Sequence, residues 1–236
     1  MTVIAPTGCL VCGVELVYLP TAEPVRCACC GAGGTSAARC PSGHYVCDDC
    51  HSGSARQVIE RICGETESRD PVEIALGLMR HPKLHMHGPE HHFLVPAALL
   101  AAYSNARGEP GRRSERVSEA RRRSEPVGGG FCGLQGACGA AIGAGIFVAI
   151  ATDASPLRGP ERGLANRMTT EALATIGATD AARCCKRDSF LAILCAARYA
   201  RTHLGVDLPA RAPSCEFALR NRQCAAEACP FHGCAV

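Results

Sequence analysis

Four pairs of metal-binding side chains lie within the N-terminal fifty residues. Two or three residues separate the members of each pair, which are Cys9/Cys12, Cys27/Cys30, Cys40/His44 and Cys47/Cys50. A short turn of this length directs both donor atoms at one ion, and two such pairs complete the tetrahedron that zinc prefers. The pattern therefore predicts two four-coordinate zinc sites.

The sequence leaves the pairing of these ligands open. In an interleaved arrangement the first pair joins the third and the second pair joins the fourth, as in a cross-brace. The spacing from Cys27 to Cys50 resembles the middle of a RING-type cross-brace without its last ligand pair. In the sequential alternative, Cys9, Cys12, Cys27 and Cys30 form one rubredoxin-like site. Either way, so small and polar a segment needs metal to supply its folding energy, and a zinc fold without chemistry of its own is one interpretation.

A second set of cysteines follows further along the chain. Cys132 and Cys138 begin a run of Gly, Ala and Ile, and Cys184, Cys185 and Cys215 come later. Asp188 or Ser189 is the expected N-cap of a helix directly after Cys184–Cys185. N–H groups at the start of that helix, with Lys186 and Arg187, would favour thiolates. Thiolates are what both an iron–sulfur cluster and a nucleophilic cysteine require, so these five cysteines are the predicted cluster ligands.

The C-terminal tail contains further candidate ligands. Cys224, Cys229, His232 and Cys234 follow Cys215 within twenty residues. Cys229–Pro230 is similar to the Cys-Pro pair that closes many cluster-binding runs. One interpretation is that the tail completes one or two clusters. The other is a further zinc site, with Cys224, Cys229 and His232 among its ligands, that pins the tail.

Five of the nine histidines fall within residues 81–92. The block HGPEHH would present His87, Glu90 and His91 or His92 to one ion or to a substrate proton, with Pro89 at a helix start. The block differs from the His-Glu-x-x-His pattern of zinc hydrolases, so hydrolysis is not predicted. We expect it to handle protons or to bind substrate.

Helices must position these side chains. Apolar residues recur at helical spacing in 54–63 and 70–80, and Asp70–Pro71 is a good N-cap and N1 pair. Further helices are predicted over 136–151, 162–177 and 188–204. The fold class is mainly α: a helical domain rich in small residues, preceded by a zinc-ribbon-like or cross-brace-like module. The predicted divisions are a metal module (1–53), a helical segment with the histidine block (54–105), a basic linker or solvated loop-helix (106–128) and a cysteine-rich helical domain with a metal-binding tail (129–236).

Composition excludes several classes of function. Eighteen cysteines with no recognisable signal peptide indicate metal or redox chemistry in the cytoplasm rather than disulfides in a secreted chain. A net charge of +3 is too small to argue for nucleic acid. The uncharged run 133–151 is long enough to span a bilayer. Its glycines and Gln135 lower its hydropathy, so a buried helix is expected instead.

Several motifs resemble known families. CGAAIGAG at 138–145 with the later Cys184–Cys185 and Cys215 is similar to the C-GCAxxG-C-C family of presumed redox proteins, although GACGA replaces GCA. Over nearly its whole length the chain resembles an uncharacterised cysteine-rich family of anaerobic microbes, which shares its CxxC pairs, HGPEHH, FCGLxGxCGAAIGAG, RCCKR and CPFH in this order. Some members are joined to SAM-dependent methyltransferases. The resemblance implies a methyltransferase or a redox protein as partner.

Three hypotheses follow. The first is an enzyme or redox carrier with an iron–sulfur cluster and structural zinc, which acts on a small molecule or with a sulfur or electron donor. The second is a non-catalytic zinc adaptor. The third is a protein that binds soft metals or metalloids through its thiolates. The sequence leaves a homo-oligomer open.

Overall fold

Helices dominate this chain, as the sequence predicts. The computed structural model describes Cys9, residues 11–47, Cys50 and residues 54–233. Two strands come first, β1 (Val17–Arg26) and β2 (Gly33–Arg39). Eight α-helices of the described residues follow: α1 (Ala55–Glu65), α2 (Pro71–Arg80), α3 (Glu90–Ala106), α4 (Arg113–Ser124), the short α5 (Phe131–Leu134), α6 (Gly139–Ala151), α7 (Gly159–Gly177) and α8 (Cys185–Tyr199). The prediction of a mainly helical chain is confirmed.

The two strands form an antiparallel hairpin that organises the N-terminal ligands. Val17 pairs with Arg39 at its open end and Arg26 pairs with Gly33 beside its loop. The Cys9/Cys12 pair precedes β1 and the Cys40/His44 pair follows β2, so pairing of the strands brings these two ligand pairs together. Most hairpin side chains are exposed. Little apolar burial therefore stabilises the hairpin.

Helix α3 is the centre of the helical body. Every residue from Phe93 to Asn105 is buried, and α1, α2, α4, α6 and α8 all pack around this helix. Tyr103 of α3 meets Phe147 of α6 edge to face, with ring centroids 5.7 Å apart. One continuous apolar core spans residues 58–231, so the segments 54–105 and 129–233 pack as one body.

The small residues of α6 allow close helix packing, as expected. A Cβ on Gly143 would lie 2.8 Å from Cδ of Pro96 and 2.9 Å from the carbonyl oxygen of His92, both on α3. A Cβ on Gly139 would overlap the His92 ring, and one on Gly145 would overlap Thr169 of α7. Helix α6 is therefore held between α3 and α7 at distances that only glycine permits.

The predicted basic linker is largely helix α4, which belongs to the core. Val117 and Ala120, one turn apart, are fully buried. Arg116 is also buried and donates to Ser104 Oγ (2.9 Å) and to Glu109 (2.6 Å). Arg121 forms an ion pair with Glu60 of α1. The composition of this segment did not indicate the packing, because two apolar residues are enough to anchor the helix on the core when arginine side chains cover the rest of it.

The observed helix starts lie close to the predicted ones. Asp70 caps α2 by accepting from the N–H groups of Val72 (2.8 Å) and Glu73 (3.1 Å), as predicted. The cap of α8 differs: Cys184 is the N-cap, and Asp188 and Ser189 lie inside the first turn. In the described part of the chain, no helix has both the length and the apolar character needed to cross a membrane.

Candidate metal centres and thiol sites

The first N-terminal ligand group consists of Cys9, Cys12, Cys40 and His44, whose donor atoms all lie within 4.8 Å of one another. The Sγ atoms of Cys12 and Cys40 are 3.5 Å apart, and Cys40 Sγ lies 3.6 Å from Nδ1 of His44. Cys9 and Cys40 are buried. This set of three sulfurs and one nitrogen could hold a metal ion.

The second group consists of Cys27, Cys30, Cys47 and Cys50, with donor atoms again within 4.8 Å. The Sγ atoms of Cys30 and Cys47 are 3.7 Å apart, and the Cys47 N–H donates to Cys27 Sγ (3.3 Å). Arg61 of α1 donates from Nη2 to Cys50 Sγ (2.6 Å). That contact ties the second group to the helical body. The two groups are those of the interleaved arrangement, and the sequential one is not formed.

Tight turns shape both groups. Gly13 and Gly31 each follow the second cysteine of a pair with φ of 77° and 74°, a conformation that favours glycine. Their N–H groups donate to the carbonyl oxygens of Cys9 (2.7 Å) and Cys27 (2.9 Å). Burial by itself would raise the pKa of Cys27, but N–H groups of Cys47, Cys30 and Cys29 lower it to about 6. The turn thus prepares a thiolate, the form that binds metal.

The helical body places another cysteine, Cys184, at the start of α8. Its Sγ accepts from the Arg187 N–H (3.5 Å) and from Nδ2 of Asn221 (3.6 Å). Burial nevertheless raises the pKa of both Cys184 and Cys185, and the carboxylate of Asp188 raises it further. The expected low-pKa thiolates are therefore not formed by the protein alone. Burial at the helix start removes water from the sulfurs, and the nearby negative charge of Asp188 disfavours their thiolate form further.

Four cysteines line a small cavity beside this helix start. They are Cys184, Cys215, Cys224 and Cys229, and the remaining wall includes Phe190, Phe217 and Phe231. The cavity encloses about 20 Å³, room for about one water molecule. The Phe217 N–H donates to Cys215 Sγ (3.4 Å). Among the described residues, only the two N-terminal groups bring three or more donor atoms within 4.8 Å, so the thiols here are spread more widely than around a single ion.

Two buried cations flank this cavity without full partners. Lys186 is 2% exposed, and its Nζ has no hydrogen-bond partner among the described residues and lies 5.1 Å from the centre of the Phe217 ring. Arg187 is 4% exposed and lines the cavity. Its Nε donates to Asp188 (2.9 Å) and its Nη2 to Ala182 O (3.2 Å), while Nη1 has no partner in the described structure. The surroundings of the cavity therefore carry unsatisfied positive charge.

A larger open cleft lies on the other side of Arg187. It encloses about 340 Å³ between α5, α7 and the start of α8, and Cys132, Cys138, Arg183, Arg187 and Asp188 line it. Cys138 Sγ lies 4.0 Å from Oδ2 of Asp188. Burial, reinforced by that carboxylate, raises the pKa of Cys138 to about 11. Arg187 lines both cavity and cleft, so it forms part of the wall between them.

The five predicted cluster ligands are thus divided. Cys184 and Cys215 face the cavity, Cys132 and Cys138 face the cleft, and Cys185 lines neither. The tail ligands Cys224, Cys229 and His232 join Cys184 and Cys215 around the cavity instead of forming a site apart. Cys234 lies outside the described residues.

The histidine block does not converge on one point. His91 is buried and its Nδ1–H donates to Gly88 O (3.1 Å), while His92 donates from Nδ1 to Val127 O (3.0 Å). Glu90 accepts from the His85 N–H (3.0 Å). His87 is linked to Cys184 through Asn221: its Nε2 lies 3.1 Å from Oδ1 of Asn221, whose Nδ2 donates to Cys184. Burial lowers the pKa of His91 well below its ordinary value, so it stays neutral.

The chain matches the model of one protein family, described as a family of unknown function, DUF5714, over residues 59–232. The match covers well over half of the chain. The chain belongs to this family. Searches of curated proteins and of solved structures found no match. The resemblance to an uncharacterised family is confirmed to this extent.

The DUF5714 match separates the two kinds of thiol site. All eight N-terminal ligands precede residue 59, whereas every residue that lines the cavity and the cleft lies within the matched region. The cavity and cleft are therefore features of the family's part of the chain.

Sequence reasoning missed Asn221, Arg61 and the burial of Lys186 and Arg187. Lys186 and Arg187 were expected to act on the adjacent cysteines as charges, and their positions in the cluster CCKRD were the available signal. Asn221 and Arg61 carry no such signal, because each reaches its sulfur across a long stretch of sequence.

Proposed function

We propose that this protein is a metalloenzyme with structural zinc in its N-terminal module and an iron–sulfur cluster in its helical body, and that it carries out redox or sulfur-handling chemistry. The observation that carries the proposal is the cavity beside α8, which four thiols and the buried Arg187 line, while the buried Lys186 lies against Phe217 of its wall. The zinc and the cluster have separate roles.

Zinc suits both N-terminal groups. Three sulfurs with one imidazole, and four sulfurs, are donor sets of closed structural zinc sites. Four protein ligands leave no position for substrate, so these ions stabilise the fold. The exposed hairpin, which has little core of its own, would depend on them.

Four cysteines around one cavity are the donor set of an iron–sulfur cluster. Cluster ligands stand farther apart than the ligands of one ion because the metal–sulfide core lies between them, and the cavity thiols are spread in this sense. Loading a cluster requires the tail to move outward, since the cavity holds about 20 Å³.

Electrostatics favour an anionic group here. A buried cation without a partner is costly, and both Lys186 and Arg187 leave a donor unpaired. A metal centre with four thiolate ligands carries net negative charge and would offset this cost. The hydrogen bonds to Cys184 from Asn221 and to Cys215 from Phe217 would orient the ligand sulfurs and raise the reduction potential.

The bound cluster would supply electron transfer, because four cysteines fill its protein-facing positions. His87 bonds Asn221, which bonds Cys184, and so can couple a proton to this end of the site. We propose a small molecule as substrate or a redox protein, sulfur donor or methyltransferase as partner. Free thiols at this density suit the reducing cytoplasm.

A non-catalytic zinc adaptor is the second candidate function. It is favoured by one observation: in the described part of the chain, only the N-terminal groups have converged donor atoms. A carrier of soft metals would use the same thiols.

Metal analysis and a visible spectrum of protein purified without oxygen test these alternatives. The proposal expects iron and acid-labile sulfide beside about two zinc ions, as the two N-terminal groups require. Cys184→Ser and Cys229→Ser should remove the iron and leave the zinc. Cys195→Ser is the matched control, since Cys195 is a core residue of α8 that lines neither site. A colourless protein with zinc alone would leave the adaptor.

A further inference from the structure

The cleft beside Arg187 differs from the cavity in size and access. The cavity encloses about 20 Å³ and admits about one water molecule, whereas the more open cleft encloses about 340 Å³, within the range of pockets for small molecules. If chemistry occurs at the start of α8, an organic substrate fits only the cleft. The cavity and the cleft share Arg187 in their walls.

The charges that line the cleft favour an anion. Arg183, Arg187 and Asp188 are its charged side chains. The bond from Arg187 Nε to Asp188 Oδ1 (2.9 Å) offsets the one acidic group. The exposed Arg183, which has no hydrogen bond or ion pair in the described part of the chain, leaves one net positive charge. Arg187 is more than nine-tenths buried, lines the cleft as well as the cavity, and keeps an N–H group at Nη1 without a partner among the described residues. An anion on either side of Arg187 could supply the missing acceptor.

The other residues that line the cleft provide an apolar surface and two thiols. Leu173 and Ile176 of α7 form an apolar side, and the thiols of Cys132 and Cys138 lie in the same cleft. An organic molecule with one anionic end could therefore pair its charge with the arginines, rest its carbon skeleton on α7 and reach a thiol.

We propose that this cleft binds a small organic anion, held at its charged end by Arg183 and Arg187 and placed beside the free thiols of Cys132 and Cys138. The chemistry of the bound molecule rests on the proposed function; the binding itself does not. The cluster ligands and the cleft thiols are then two separate sets on either side of Arg187.

A matched pair of alkylating reagents tests the proposal on the full-length protein as purified. Iodoacetate is a small organic anion and iodoacetamide is its neutral analogue. Peptide mass spectrometry gives the alkylation rate at each cysteine with each reagent. The ratio of the two rates is normalised to a neutral cysteine peptide in the same tube. At Cys132 we expect a normalised ratio about tenfold above one, since opposite charges attract at short range, and excess acetate should slow alkylation there. At Cys138 the ratio should be smaller, because Oδ2 of Asp188 lies 4.0 Å from its Sγ.

Variants locate the source of this preference. Arg183→Gln removes an exposed charge and should lower the ratio about threefold, as expected for loss of a partly screened charge. Arg187→Lys keeps the charge beside Asp188 but loses the guanidinium fork, so it should lower the ratio while the fold is kept. Arg162→Gln is the control, because this exposed arginine lies at the opposite end of α7. A ratio near one in the unmodified protein, or one that neither variant changes, overturns the proposal.

The same samples separate this inference from the proposed function. Iron content reports on the cluster, and the reagent ratio reports on the cleft. An iron-free protein with a raised ratio supports the cleft and removes the cluster. Cysteines 132 and 138 that react only after a chelator has stripped the metal would be metal ligands, and that result overturns the inference.

Discussion

At the scale of single residues, the balance between burial, N–H groups and neighbouring charges sets the properties of the thiols. Cys27 receives three backbone N–H groups and its pKa falls to about 6. Cys138 receives N–H groups from Ala140 and Ala141, yet burial and Asp188 raise its pKa to about 11. Two cysteines that the sequence does not distinguish therefore differ in thiol pKa, and so in how easily they form the thiolate that binds metal.

The contact of Arg61 with Cys50 leads to a prediction at this scale. Arg61→Gln removes a cationic donor from a ligand sulfur, and outer contacts of this kind typically contribute tenfold or more to metal affinity. We expect zinc to leave the second group about tenfold faster, measured by transfer to a coloured chelator. Arg56→Gln on the same helix is the control, because Arg56 has no hydrogen bond or ion pair with any of the described residues. Equal rates for both variants would show that the arginine contact does not hold the ligand.

At the scale of secondary structure, close contact between α6 and its neighbours holds the small-residue helix in place. Gly143 faces α3, where Pro96 and His92 leave no room for a side chain. Gly77 of α2 is also inside a helix, but no atom lies within 4 Å of its Cβ position. Glycine thus permits close packing in α6, whereas in α2 it only lowers the stability of the helix.

These two glycines give a paired prediction. Gly143→Ala should lower the free energy of unfolding by about 1–3 kcal/mol through overpacking, although alanine is the better helix former. Gly77→Ala should raise it by about 0.5–1 kcal/mol, since only the helix propensity changes. Urea unfolding followed by circular dichroism measures both. A stabilising Gly143→Ala would mean that α6 and α3 have room to separate.

At the scale of the whole molecule, two segments obtain their stability from different sources. The helical body has a continuous apolar core, whereas the hairpin is mostly exposed and, in the proposed function, is stabilised by metal. They meet through Arg61 and Cys50.

Metal removal should therefore affect one segment first. A strong chelator is expected to abolish protection of the hairpin amides in hydrogen exchange. The amides of α3 should stay protected and the helical signal at 222 nm should fall only slightly, because the core keeps its burial. Restored zinc should return the hairpin protection. Simultaneous loss of both segments would show that metal stabilises the whole molecule as one cooperative unit.

The sequence by itself determined the features that depend on neighbours in the chain. These include the four ligand pairs, the cap at Asp70, the mainly helical content and the expectation that α6 packs closely. Turn chemistry, capping and helical periodicity act over a few residues, so a single sequence carries them.

Only the tertiary structure decided which distant groups meet. It joined the N-terminal pairs in the interleaved order because β1 pairs with β2. It packed one face of α4 against the core, while arginine side chains cover the rest of that helix. It also placed Cys184 and the tail cysteines around one cavity and left Cys132 and Cys138 in the cleft. Contacts such as Asn221 with Cys184 depend on how helices pack in three dimensions, and no local pattern records that packing.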